Sequence, residues 1–376
     1  MATNSETVVL SGYSAEISDT DVLRPEDINP ILLGLYGEVG GIMSTAKKHI
    51  RERSAYPGFR TAAEEEFGDT LWYLAALCRR VNIPLEELFA TANDEACPGS
   101  TDALSNLVDG EFVKVGMGSP TDSMDKALFK LGISTAALLG EAPDRSKLST
   151  FVQDYLAALN AAKLSLSNVA QCNLRKARGA FLGPRMEELV DFDADFAIEE
   201  QLPRNFKIRV NQRESGRSYL QWNGVFIGDP LTDNIADPDG YRFHDVFHLA
   251  FAAILHWSPV MRVLIKQKRK SKKEYDEAQD GGRAIVVEEG LTAWIFSRAK
   301  ELNYFEGQDR VSLGMLKTIS EFVSGYEVSK CPLKLWERAI LEGYDVFRQV
   351  RDAQGGWIIG DRALRTIRYM PLEYKK

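Results

Sequence analysis

Apolar side chains recur at helical spacing through the first half of the chain. Leu32, Leu35, Tyr36, Val39, Ile42 and Met43 form one stripe, which predicts a helix over 30–51. Tyr56-Pro57-Gly58 interrupts the pattern. A second helix is predicted over 61–81, stopped by Asn82-Ile83-Pro84, and a third over 85–93, closed by Cys97-Pro98-Gly99-Ser100. Residues 100–124 are rich in Gly, Ser, Asp and Pro and read as a linker or large loop. Helical periodicity then returns over 124–140, 147–163 and 165–181, with breaks at Ala142-Pro143 and Gly183-Pro184.

The two helical stretches resemble each other. Tyr73-Leu74-Ala75-Ala76-Leu77 recurs as Tyr155-Leu156-Ala157-Ala158-Leu159, and each is followed by a turn and a helix ending near Asn93 or Asn173. This reads as a degenerate internal repeat, about 27–97 and 124–183, forming one helical bundle over 25–185 after an extension of residues 1–24. Beyond 186 the pattern changes. Phe206 to Val210 and Ser218 to Trp222 alternate as strands do, and Asn223-Gly224 before Val225-Phe226-Ile227 predicts a tight hairpin. Helices resume at about 240–257 and fill most of the remainder. The fold class expected is mainly α: an all-α bundle, then a mostly helical domain over 187–376 with a small hairpin sheet.

Composition narrows the picture. The 376 residues are 44% hydrophobic and 27% charged, enough apolar material for more than one core. A net charge of −8 disfavours general nucleic-acid binding but leaves room for small phosphorylated ligands held by a local cation cluster. Cys78, Cys97, Cys172 and Cys331 are far apart, with no C-x-x-C pair, which argues against a zinc ribbon and fits a reducing cytosol. No basic, apolar leader opens the chain, and the apolar run at 249–255 is too short to span a bilayer. A cytoplasmic location is expected.

Carboxylates gather in the first half. Glu66 and Asp69 stand three apart on the second helix, with Glu65 on the same edge, and Glu38 sits among Gly37, Gly40 and Gly41 on the first. Converging acids repel unless a hard divalent cation relieves them, and oxygen-only ligands select Mg²⁺ or Mn²⁺. A plain solvated helix face is the competing reading; the apolar Leu71 to Leu74 beside Asp69 place these acids at the edge of the core.

The segment from LLGLYGEVGGI to EEEFGDTLWYLAALCRRVNIPLEELFATAN resembles the MazG-like branch of the all-α NTP pyrophosphatases. That family carries E-x-x-E, a spacer, then E-x-x-D. Glu38 matches the first acid, and Glu66 and Asp69 match the last two. The resemblance implies that Glu38, Glu65, Glu66 and Asp69 hold Mg²⁺ or Mn²⁺, with Glu38, Glu66 and Asp69 catalytic. It also implies that Lys47, Lys48, Asn93, Asn173 and Lys176 contact a nucleoside triphosphate. The product pair would be a nucleoside monophosphate and pyrophosphate. One departure stands out: the second acid of the first pair should be at 41, where this chain has Gly41. Glu65 is the candidate to replace it, and a nucleotide sensor without turnover is the alternative. Sites of this family form across a dimer; an internal repeat supplies two halves in one chain, so monomer and homodimer both fit.

The second half has its own cluster. His244 and His248 are four apart, His256 follows, and Glu288-Glu289 lies on a later helix. Two His and one carboxylate would suit a transition metal, in a metallohydrolase acting through this cluster. A buried His pair hydrogen-bonded to acids fits equally. His244-Asp245 is weakly similar to the HD phosphohydrolases, without their other ligands. The run from Lys266 to Lys273 reads as a solvated cationic surface, because Glu274, Asp276, Glu277 and Asp280 follow at once. Residues 187–376 look like the C-terminal domain appended to some MazG-like proteins.

Overall fold

Proline and capping side chains set three of the helix starts of the first half. The computed structural model describes residues 4–8, 10–96, 113–117, 123–140, 143–185 and 188–372. Its helices are α1 (Leu10–Ser18), α2 (Asn29–Glu52), α3 (Phe59–Arg80), α4 (Leu85–Ala96), α5 (Met124–Ala137), α6 (Arg145–Ala161) and α7 (Leu166–Phe181). Pro30 opens α2, where a missing N–H costs nothing. Asp144 caps α6 by accepting from the Lys147 N–H at 2.8 Å, and Ser165 caps α7 through the Asn168 N–H at 3.2 Å.

These helices build a first unit, residues 1–182. α2 packs on α3, α3 on α7, α5 on α6, and α4 on α6. Their apolar stripes meet in a core that buries Leu35, Phe67, Leu74, Phe89, Phe151 and Tyr155. Tyr155 keeps its hydroxyl satisfied by donating to the Phe67 carbonyl at 2.9 Å.

Two features add to the sequence reading here. The segment set aside as an extension contributes α1, whose Leu10, Tyr13 and Ile17 are buried in this core. A two-stranded sheet accompanies the helices. β1 (Asn4–Val8) pairs antiparallel with β2 (Val113–Met117), so the stretch read as a linker supplies a strand.

The second unit, residues 183–376, is mainly helical around one sheet. β3 (Asn205–Gln212), β4 (Ser218–Trp222), β5 (Val225–Leu231), β6 (Gly355–Asp361) and β7 (Thr366–Met370) lie in the order β5-β4-β3-β6-β7, each pair antiparallel. Asn223 and Gly224 join β4 to β5 with φ of 48° and 83°, the double positive φ of a primed hairpin turn. β3 buries Phe206, Ile208 and Val210 on one face, the period-two pattern of a half-covered sheet. The C-terminal β6 and β7 complete the sheet.

Against it pack α8 (Asp245–Ala250) and α13 (Leu333–Ala353). The chain also forms α9 (Pro259–Leu264), α10 (Lys273–Ala278), α11 (Gly282–Glu301) and α12 (Leu313–Phe322). The expected helix at 240–257 is broken: α8 passes into a π-helical turn over Phe251–Leu255, which ends at His256 with φ 59°. The apolar run at 249–255 is wholly buried in this core. Among the described residues no helix is long and apolar enough to cross a membrane.

Candidate functional site

On α2, Glu38 and Gly41 are three residues apart and share a face. A Cβ built on Gly41 would overlap the Glu66 carboxylate, with the carboxyl carbon 2.8 Å away. Glu66, reaching from α3, therefore occupies the room that a side chain at 41 would claim. Glu38 and Asp69 both act on Tyr73. Burial first, then the charges of Glu38, Asp69 and Asp21, push its phenol above the ordinary value.

Asp69 is held from α7. The Asn173 Nδ2 donates to Asp69 Oδ1 at 3.0 Å, and the Lys176 ammonium pairs with the other oxygen. The same ammonium lies 2.7 Å from Glu65 Oε1. Asn173 is in turn fixed by Tyr13 of α1, whose hydroxyl donates to Asn173 Oδ1 at 2.7 Å. Burial, with the neighbouring Tyr155 and Asp69, raises the Tyr13 phenol well above its usual value, so Tyr13 stays a donor. Gly68 permits this approach, because a Cβ there would stand 2.8 Å from the Asn173 Cβ.

The structure thus brings Glu65, Asp69, Asn173 and Lys176 into one contact set, with Glu66 beside Gly41. It does not bring Lys47 and Lys48 there. Both are exposed, nine and ten residues beyond Glu38, which is about 14 Å along the α2 axis. Asn93 lies on α4, and its side chain is outside the described residues. Tyr13 was missed by sequence reasoning, since α1 is short and its one signal is the spacing of Leu10, Tyr13 and Ile17.

A second constellation lies in the second unit. His244 precedes α8 and His248 sits within it, so their rings share one face one turn apart. Their Nε2 atoms lie 3.7 and 3.4 Å from Glu289 Oε2 on α11. Glu288 points elsewhere. Its carboxylate accepts from His248 Nδ1 at 2.9 Å, from the Ser258 hydroxyl at 2.7 Å and from the Val260 N–H at 2.8 Å. His244 Nδ1 donates to the Tyr241 carbonyl at 2.9 Å, and the Tyr241 ring stacks on it at 4.3 Å. Burial opposes the charged His248 ring, yet Glu288 and then Glu289 push its pKa up to about 10. Burial would raise the Glu289 carboxyl; the two rings beside it more than reverse this and hold it far below the carboxylate range.

His256 takes no part in this group. Its Nε2 bonds the Arg362 carbonyl at 2.8 Å, and its Nδ1 faces Asp191 at 3.7 Å. The cationic run also needs correction. Arg269 is fully buried, bonded to Asp280 Oδ1 at 2.7 Å, to Glu327 Oε1 at 2.5 Å and to the Phe192 carbonyl at 3.1 Å. Lys266, Lys270 and Lys273 around it are exposed.

Residues 187–373 match the family model described as the MazG C-terminal domain. The match spans nearly all of the second unit and supports a MazG-like family for the chain. At family level a MazG-related domain points to nucleotide pyrophosphohydrolase-type function. No curated protein and no solved structure matches the chain. The histidine cluster lies within the residues that match this model, and the acid cluster lies in the unit before them.

Proposed function

We propose that the first unit hydrolyses nucleoside triphosphates to monophosphate and pyrophosphate with Mg²⁺ or Mn²⁺. The observation that carries this reading is the arrangement around Asp69: carboxylates from α3, with an amide and an ammonium from α7 aimed at them. Glu38, Glu65, Glu66 and Asp69 are all oxygen donors, the set that suits a hard cation. The metal would neutralise phosphate charge and lower the pKa of a bound water. Glu38 or Glu66 would orient that water or take its proton. Asn173 and Tyr13 hold Asp69 in place. Lys176, which balances Glu65 and Asp69 here, would turn toward the phosphates as negative charge grows.

Lys176 replaces Lys47 and Lys48 as the phosphate contact in this reading. The degenerate repeat supplies it from the same chain, so the site needs no second copy. Binding without turnover was the alternative raised by Gly41. Glu66 lying in the space at 41 favours catalysis, since a carboxylate still stands where the family motif has one.

Mn²⁺ titrations followed by electron paramagnetic resonance test the metal set. A non-hydrolysable triphosphate should increase Mn²⁺ uptake, and Glu66→Gln should weaken that nucleotide-dependent component by about tenfold or more. Nucleotide-dependent uptake that Glu66→Gln leaves untouched would place the metal elsewhere.

A further inference from the structure

We propose that His244 Nε2, His248 Nε2 and a Glu289 carboxylate oxygen form a binding site for one divalent first-row transition ion. This inference is independent of the reading of the first unit. The three ligand atoms lie within 4.8 Å of one another. The His–Glu separations of 3.4 and 3.7 Å are close to the edge of a coordination shell with bonds of about 2.0–2.2 Å.

Several features point to a ligand rather than a packed ion pair. His248 is fully buried, and its Nε2 has no hydrogen-bond partner of good geometry. A buried ring nitrogen left this way loses water without compensation. Its other nitrogen is fixed on Glu288, which Ser258 and the Val260 N–H hold from behind. That is the carboxylate–histidine arrangement that sets the tautomer and aims the second nitrogen at a metal. His244 is arranged alike, with Nδ1 on the Tyr241 carbonyl and Nε2 toward Glu289. Glu289, unlike Glu288, is partly open to solvent, so the site has a wet side.

Two imidazoles and one carboxylate select Zn²⁺, Fe²⁺, Co²⁺ or Mn²⁺ over Mg²⁺ and Ca²⁺. Three protein ligands leave coordination positions for water or a substrate oxygen, as reactive sites do and closed structural sites do not.

The test uses the full chain, stripped with chelator and titrated with Co²⁺ while visible absorption is recorded. One equivalent of Co²⁺ should bind with a ligand-field band. Zn²⁺ should displace it. Glu289→Gln and His244→Ala should each weaken binding by about tenfold or more. These two positions carry the test because His248→Ala strands buried Glu288 and could unfold the domain; circular dichroism confirms that the tested variants are folded. Asp69→Asn, in the first unit, should leave the band unchanged. No band, a band indifferent to both Glu289→Gln and His244→Ala, or a band lost in Asp69→Asn would each overturn the proposal.

Discussion

At the scale of single residues, Gly41 carries the most information. Read from the motif alone it is a lost acid; in three dimensions it is the space that Glu66 fills. Ala at 41 is worth about 1 kcal/mol more than Gly in a helix interior. Gly41→Ala should therefore leave thermal stability equal or higher, while the new methyl swings the Glu66 carboxylate aside. Pyrophosphate release should fall about tenfold or more with the melting curve intact. Unchanged turnover would show that the position of Glu66 does not matter. Lysines at 47 and 48 show the limit of spacing arguments. The resemblance points to them for a phosphate contact, but helix geometry carries them past the acids, and it is Lys176, 107 positions from Asp69, whose ammonium lies against Asp69. Glu288 and Glu289 were indistinguishable in sequence. One residue rotates a helical side chain by about 100°, which puts one carboxylate behind His248 and the other in front.

At the scale of elements, the helices of the first unit were legible because each carries a long apolar stripe between Pro or Gly breaks. α1 was not, because nine residues are too few for a periodicity signal. Its attachment is partly ionic. Asp21, just after α1, accepts from Arg80 Nη1 at 2.7 Å and Arg79 Nη2 at 2.9 Å on α3. Thr20 accepts from the Trp72 indole at 2.8 Å. Burial alone would raise the Asp21 carboxyl, and the Arg80 and Arg79 hydrogen bonds reverse this and hold it below its ordinary 3.8. The unfolded chain then takes up this proton first as the solution is acidified. The stabilisation is present above pH 3.8 and is lost as the pH falls through the lowered value. Hydrogen exchange of α3 amides should show Asp21→Asn loosening α3 by roughly 1–3 kcal/mol at pH 7, with the deficit shrinking in acid. A deficit independent of pH would mean that the pair acts through packing alone.

At the scale of the whole molecule, the first hairpin of the second unit was legible from Asn223-Gly224, because only a primed turn asks for two positive φ residues in succession. The sheet it belongs to was not. β6 pairs with β3 across about 150 residues, a contact that no local pattern announces. The cationic run hid a buried arginine for a related reason: Asp280 is only eleven positions on, but Glu327, the other carboxylate on Arg269, comes from 58 positions away. Composition described the average of the segment, and burial depended on one member. The acid cluster and the histidine cluster were both visible as spacing, while their supporting residues Tyr13 and Ser258 emerged only with the fold.

The most direct test of the central claim is product analysis. The full chain would be incubated with a panel of ribo- and deoxynucleoside triphosphates and Mg²⁺, and the products separated by anion-exchange chromatography. Monophosphate and pyrophosphate in equal amounts are expected from at least one nucleotide. The rate should fall about 100-fold or more in Asp69→Asn that remains folded. No pyrophosphate from any nucleotide, or release undiminished by Asp69→Asn, would contradict the assignment.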